Sequence, residues 1–215
     1  MTERFAIYYA PAPESWLWQK ALRWLEQPEL AELTASARRY GFHATLKAPM
    51  SLAAGQDRAG LEMAVAAFAA RHKPVGMGLV GAHLIEGFLA LTPVSQPQAV
   101  TDFAATVVAG FEPFRAPLEP ADRERRLRSP LTARQIELLD VYGYPYVLEQ
   151  FQLHMTLTDR LPADRKASLQ AKAAAWFAEE LREPIMLDRL VLFHEAAPGE
   201  PFRRLPGDFE LTGAM

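Results

Sequence analysis

Two short segments of this chain carry the same pairing of a proton-transfer group with a hydrogen-bond donor. His43-Ala44-Thr45-Leu46 and His154-Met155-Thr156-Leu157 both read His-x-Thr-Leu, 111 positions apart, and each follows an apolar residue, Phe42 or Leu153. Side chains in a strand alternate with period two, so His43 and Thr45 share one face, as do His154 and Thr156. Imidazole is the side chain that takes and gives protons near neutral pH. Two imidazoles on facing walls suit an in-line displacement at phosphorus: one removes a proton from the attacking oxygen and the other protonates the departing one. The threonine hydroxyls would then donate to the non-bridging oxygens, where charge accumulates in the transition state.

One strand histidine beside a threonine is more often structural than catalytic. Finding the pair twice in matching contexts argues for two half-sites. A zinc ion held by His43 and His154 is the rival chemistry, but such sites want a third protein ligand. Neither a His-x-x-x-His helix nor an acidic cluster accompanies the pair, so no metal and no cofactor is expected.

The elements that must position these residues can be read in order. Phe5 to Ala10 reads as a strand, Trp16 to Gln27 as a helix capped by Ser15, and the segment around His43 as a strand ending near Pro49. Ala59 to His72 is a second helix, and Val75 to His83 with Gly87 to Leu91 a strand pair turning at Glu86-Gly87. Gln98 to Val108 follows as a helix, Phe114 to Leu118 as a strand, Pro120 to Arg128 as a helix-prone charged segment, and Thr132 to Tyr142 as a helix stopped by Gly143. The second His-x-Thr strand comes next. Pro162 to Leu181 then reads as a long helix, with Ile185 to Glu195 and Phe202 to Leu211 as strands.

Both halves thus repeat the order His-x-Thr strand, helix, strand, strand. The expected fold is α+β, with two pseudo-symmetric lobes, each a mainly antiparallel sheet with helices on its outer face, enclosing a central cleft. The single bilobal domain covers residues 1–215, with lobe 1 at approximately 11–92, lobe 2 at approximately 111–200, and terminal strands exchanged between them. A repeat this long, present twice, excludes a solenoid.

Bulk properties narrow the partners. A net charge of -3 and a pI near 6.0 give no basic footprint for long DNA or RNA, while a small phosphorylated substrate held by local cations remains compatible. The chain has no cysteine, which removes disulfides, thiolate metal sites and a cysteine nucleophile. The opening residues resemble a strand rather than a signal sequence, and no stretch is apolar enough to span a bilayer. The expectation is a cytoplasmic protein without a membrane partner.

The strings Arg39-Tyr40-Gly41-Phe42-His43-Ala44-Thr45-Leu46-Lys47-Ala48-Pro49, Gly143-Tyr144-Pro145-Tyr146-Val147 and Phe151 to Thr158 resemble those of the 2H phosphoesterase superfamily, whose members include LigT-type RNA 2',3'-cyclic phosphodiesterases. Within it they are most similar to a branch encoded with phosphonate-utilisation genes. Met50 and Leu153 depart from it, standing where aromatic residues are expected. The resemblance implies a bilobal fold and metal-independent opening or hydrolysis of a small cyclic phosphodiester, such as a ribose cyclic phosphate in phosphonate catabolism. It also implies His43 and His154 as the acid-base pair and Thr45 and Thr156 as phosphate-holding groups, leaving open which histidine is the base. Alternative readings are an RNA-end 2',3'-cyclic phosphodiesterase or 2',5'-ligase, and a non-catalytic phosphometabolite-binding protein.

Supporting candidates come from position. Lys47 is in register with His43 and Thr45 and would add positive charge to the groove, unless it is a solvated strand end. Tyr40 sits at the entrance to the first motif, and Tyr142, Tyr144 and Tyr146 could stack on a ring or merely pack a Gly-Pro turn. Arg123, Arg125 and Arg126 could form a lid that neutralises a second phosphate, although a charge run is usually a solvated face. Arg115, at the expected crossing between lobes, is a further candidate phosphate contact. His72, His83 and His194 lack the accompanying threonine and read as surface or packing residues, although His194, on an expected strand of the second lobe, could line the cleft.

Overall fold

Apolar alternation in the strands and apolar stripes on the helices build one antiparallel sheet with helices stacked against it. The computed structural model describes residues 3–213; Met1, Thr2, Ala214 and Met215, the ends of the expected domain, lie outside them. The chain runs β1 (Arg4–Tyr9), α1 (Trp16–Leu25), α2 (Ala35–Tyr40), β2 (Ala44–Met50), α3 (Arg58–Arg71), β3 (Val75–Gly78), β4 (Val80–Ile85), β5 (Phe88–Pro93) and α4 (Gln98–Gly110). It continues through α5 (Pro120–Leu127), α6 (Ala133–Tyr142), β6 (Met155–Arg160), α7 (Ala163–Trp176), β7 (Ile185–Leu187), β8 (Arg189–Glu195), β9 (Arg203–Arg204) and β10 (Phe209–Glu210). None of the described helices is long and apolar enough to cross a membrane.

The main sheet has the order β10-β8-β1-β2-β6-β5-β4, with β9 also paired to β8, and every pairing is antiparallel. Each spatial half of the sheet therefore takes strands from both halves of the sequence. A separate ribbon joins β3 to β7. The α+β class with antiparallel strands and helices on one face agrees with the sequence.

Alternation decides what faces what. Phe5, Ile7 and Tyr9 of β1, Leu157 of β6, and Leu190 and Leu192 of β8 point into one core with Leu17, Ala21 and Trp24 of α1, Leu61 and Val65 of α3, Val100 and Val107 of α4, and Leu169 and Ala173 of α7. The opposite face carries Ala6, Tyr8, Val191 and Phe193. Residues on that second face lie beneath the cleft. At roughly 1.5–3 kcal/mol for each large apolar side chain buried, the helix-covered face holds the sheet in place.

Several expected strands change, Ile185 to Glu195 splitting at Asp188 into β7 and β8. Phe114 to Leu118 is not a strand: Glu112–Phe114 is a 3-10 turn and only Leu52 bridges Arg115. Val75 to His83 breaks after Gly78, whose φ of 74° turns the chain out of the ladder. Phe202 to Leu211 shrinks to two short strands, because Pro206 has no N–H to give and Gly207 has a φ of 93°. Helix α2, unread in the sequence, leads directly into the first motif and ends at Gly41 with a φ of 73°.

Candidate active site

The two motifs meet at one backbone pair. Strands β2 and β6 are neighbours with Ala44 opposite Met155. In an antiparallel ladder that register sets His43 across from Thr156 and Thr45 across from His154, and directly opposed residues share a face. Ala44 and Met155 point into the helix-covered core, so the four polar side chains point away from it. All four line one cavity of about 1270 Å³.

Both imidazoles are held in the same tautomer by the same local device. His43 Nδ1 donates to the carbonyl of Gly41 at 2.9 Å, and His154 Nδ1 donates to the carbonyl of Gln152 at 2.8 Å. With Nδ1 carrying the proton, each Nε2 is left as the working nitrogen. His43 Nε2 accepts from the Thr45 hydroxyl at 3.2 Å.

The surroundings of the two rings differ. Tyr8 stacks on His43 with ring centroids 3.7 Å apart and planes 15° from parallel, whereas the ring beside His154 is Phe88, tilted by 60° at 5.7 Å. Burial drives the His43 pKa down to about 4, outweighing the Gly41 hydrogen bond, and neighbouring His154 pushes it further the same way. Burial also lowers the pKa of His154, opposed by its bond to Gln152 and by the charge of Glu86. Both rings are therefore neutral at neutral pH.

The cavity rim carries five arginines, Arg4, Arg39, Arg125, Arg126 and Arg160, together with the acids Glu119, Asp122 and Asp159. Glu195 is shared by two of them, accepting from Arg4 at 2.5 Å and Arg39 at 2.7 Å. Asp122 pairs with Arg125, and Asp159 accepts from the Ser36 N–H at the start of α2 at 3.1 Å. Tyr40 lines the cavity and stacks on Phe202 at 5.2 Å, and Tyr144 lines it beneath Arg126.

Other candidates are placed elsewhere. Lys47 does not join the groove: a bulge between the Ile7–Lys47 and Tyr8–Thr45 pairs breaks the alternation. Its ammonium is buried, bonded to the Val108 carbonyl at 3.1 Å and to Glu112. Arg115 braces a loop through Glu112, its neighbour's carbonyl and the Val141 carbonyl. Arg123 pairs with Asp140 at 2.6 Å on the surface. Tyr146 supports Tyr144 edge-on at 5.6 Å. His83 bonds Thr92 and His194 bonds Glu3, apart from the paired motifs.

Sequence reading missed Tyr8, the floor under His43. Its spacing in β1 matches a core strand, and only the pairing of Tyr8 with Thr45 brings it under the motif. No cluster of His, Cys, Asp and Glu able to hold a metal ion occurs among the described residues.

A family profile described as protein of unknown function (DUF1045) matches residues 45–203. A protein of Laribacter hongkongensis described as ribose 1,5-bisphosphate phosphokinase PhnN is 36% identical, the match covering 93% of this chain and 50% of that protein. One of Janthinobacterium sp. (strain Marseille) with the same description is 37% identical, covering 94% of this chain and 50% of its own length. The chain thus spans about half the length of the curated relatives it matches. Among solved structures, Escherichia coli LigT complexed with 3'-AMP aligns over 99% of both chains at 14% identity and a TM-score of 0.49. A structure described as a phosphoesterase aligns over 98% of this chain and 99% of its own at 15% identity and a TM-score of 0.47.

Proposed function

The chain belongs to the DUF1045 family, and we propose that it is a metal-independent phosphoesterase that opens or hydrolyses a small cyclic phosphodiester by two-histidine acid-base catalysis. One observation carries this reading: the Ala44–Met155 register, which sets two tautomer-locked imidazoles and two hydroxyls on one face of adjacent strands.

In the proposed reaction the phosphate sits between the two Nε2 atoms. His43, covered by Tyr8 and held neutral by burial, is the base. His154, whose protonated form Glu86 favours, is the acid. As water attacks phosphorus, its proton passes to His43 Nε2. The ring P–O bond breaks, and the departing oxygen takes the proton from His154 Nε2. The product is a phosphomonoester beside a free hydroxyl, and the two rings exchange protonation states before solvent resets them. Thr45 turns its hydroxyl from His43 to a non-bridging oxygen, which frees the His43 Nε2 that it otherwise bonds. Because both rings are neutral beforehand, the acid's proton is taken up as the anionic substrate enters.

The substrate class is a pentose cyclic phosphate. In support, the two curated relatives are described as acting on a ribose bisphosphate, and the cavity, about 1270 Å³, holds a sugar phosphate with room to spare. The test is to incubate the purified protein with EDTA and ribose cyclic phosphates, nucleoside 2',3'-cyclic phosphates and cyclic-ended RNA. Turnover of a small cyclic phosphate with EDTA present is expected. Failure on every substrate, or activity that appears only with added metal, overturns the proposal; preference for RNA ends replaces its substrate class.

A further inference from the structure

Helix α5 is an unusual covering for a cavity, because none of its eight residues is buried. It is tied down by polar and π contacts. Arg123 reaches Asp140 of α6, and the Arg126 guanidinium lies 4.9 Å above the Tyr144 ring. Lining the cavity, Arg126 has no carboxylate partner among the described residues, and its Nε is buried without any hydrogen-bond acceptor. A buried donor on a cation left without an acceptor is destabilising, and an arriving acceptor relieves that cost. The neighbouring charges sharpen the contrast. Arg4 and Arg39 are both anchored to the Glu195 carboxylate, and Arg125 to that of Asp122. Arg160 also lines the cavity, but it is exposed.

We propose that Arg126, stacked on Tyr144 and carried over the cavity by α5, binds a second phosphate group of the substrate, separate from the cyclic phosphodiester held by the His-Thr pairs. The guanidinium presents a planar fork of donors that matches two phosphate oxygens. This inference rests on the proposed phosphodiester site and narrows its substrate to a small cyclic phosphate with an additional phosphomonoester. Asp122 and Glu119 on the same rim oppose a ligand without the correct geometry, so the second phosphate must reach Arg126 itself.

A matched ligand pair tests this without relying on turnover. Adenosine 2',3'-cyclic phosphate and the same molecule with a 5'-phosphate are titrated calorimetrically into the His43→Asn variant, with and without Arg126→Gln. The expected result is roughly tenfold to hundredfold tighter binding of the 5'-phosphorylated ligand, the range of a charge-assisted hydrogen bond. Arg126→Gln should abolish that gain while leaving the other ligand within about twofold, and Arg126→Lys should keep only part of it. Equal affinity for the two ligands, an equal loss for both on Arg126→Gln, or no binding of either overturns the inference. A failed phosphoesterase reading shows instead as absent turnover by the unsubstituted protein while the affinity difference persists.

Discussion

At the scale of single residues, the proposed reaction depends on two imidazoles that differ only in their surroundings. His43→Ala and His154→Ala should each lower kcat by about a hundred- to ten-thousand-fold with a smaller change in KM, and the double variant should lose little more than the worse single one. Steady-state kinetics on the responsive cyclic phosphate checks this. The Tyr8 ring makes a separate prediction. Tyr8→Leu lets water reach His43, so its pKa should climb from about 4 toward the ordinary 6.5, a shift visible by NMR titration. The acid limb of kcat/KM should move upward with it. Stability follows by linkage: between 4 and 6.5 the unfolded chain binds the His43 proton and the folded chain does not. Stability is therefore full above 6.5 and falls as pH drops through that window, by about 3 kcal/mol from this group. His43→Phe should flatten that part of the profile in urea melts at successive pH values; an unchanged slope would show that the ring titrates normally.

At the scale of elements, the strand alternation that revealed the site also misplaced Lys47. Period two was correct for His43 and Thr45 and for His154 and Thr156, because no irregularity falls within either motif. It failed one step later, where the bulge in β2 turns Lys47 into the core beside the end of α4. No residue type in Leu46-Lys47-Ala48 announces a bulge, since it arises from how β1 pairs. The arginines of α5 were legible as a charged helix, but which of them faces the cleft depends on Asp140 capturing Arg123 and Tyr144 capturing Arg126. Lys47→Met accordingly tests an element rather than the chemistry. It removes a buried ion pair whose partner, Glu112, keeps Arg115, so the expected loss is about 1–2 kcal/mol in urea unfolding. Turnover should stay within about threefold, and a hundredfold loss would return Lys47 to the site.

At the scale of the whole molecule, the halves of the sequence relate as two protomers of a symmetric dimer would. Shifting by the 111-residue offset between the motifs maps the Ala44–Met155 pair onto itself and exchanges the Val75–Leu187 and Gly76–Met186 pairs of the small ribbon. A two-fold axis between the histidines produces that pattern, as at an isologous interface. The exchange of strands goes further than an interface, however. Strand β6 lies between β2 and β5 of the first half, and β1 lies between β2 and β8 of the second half. Cutting the chain after Leu118, in the connection between α4 and α5, would leave β6 without either neighbour and β8 without β1. The first fragment would retain β1-β2 and β4-β5 with a gap where β6 belongs. Unpaired strands of this kind expose both apolar faces and backbone donors, so neither fragment should fold. Expressed separately, each fragment should be insoluble or lack a cooperative melt; expressed together, they should assemble into a soluble complex with the activity of the intact chain, because every missing neighbour is present in the other piece. A cooperative melt from either fragment alone would mean that one half holds its own core and that the histidines are brought together by docking rather than by a shared sheet.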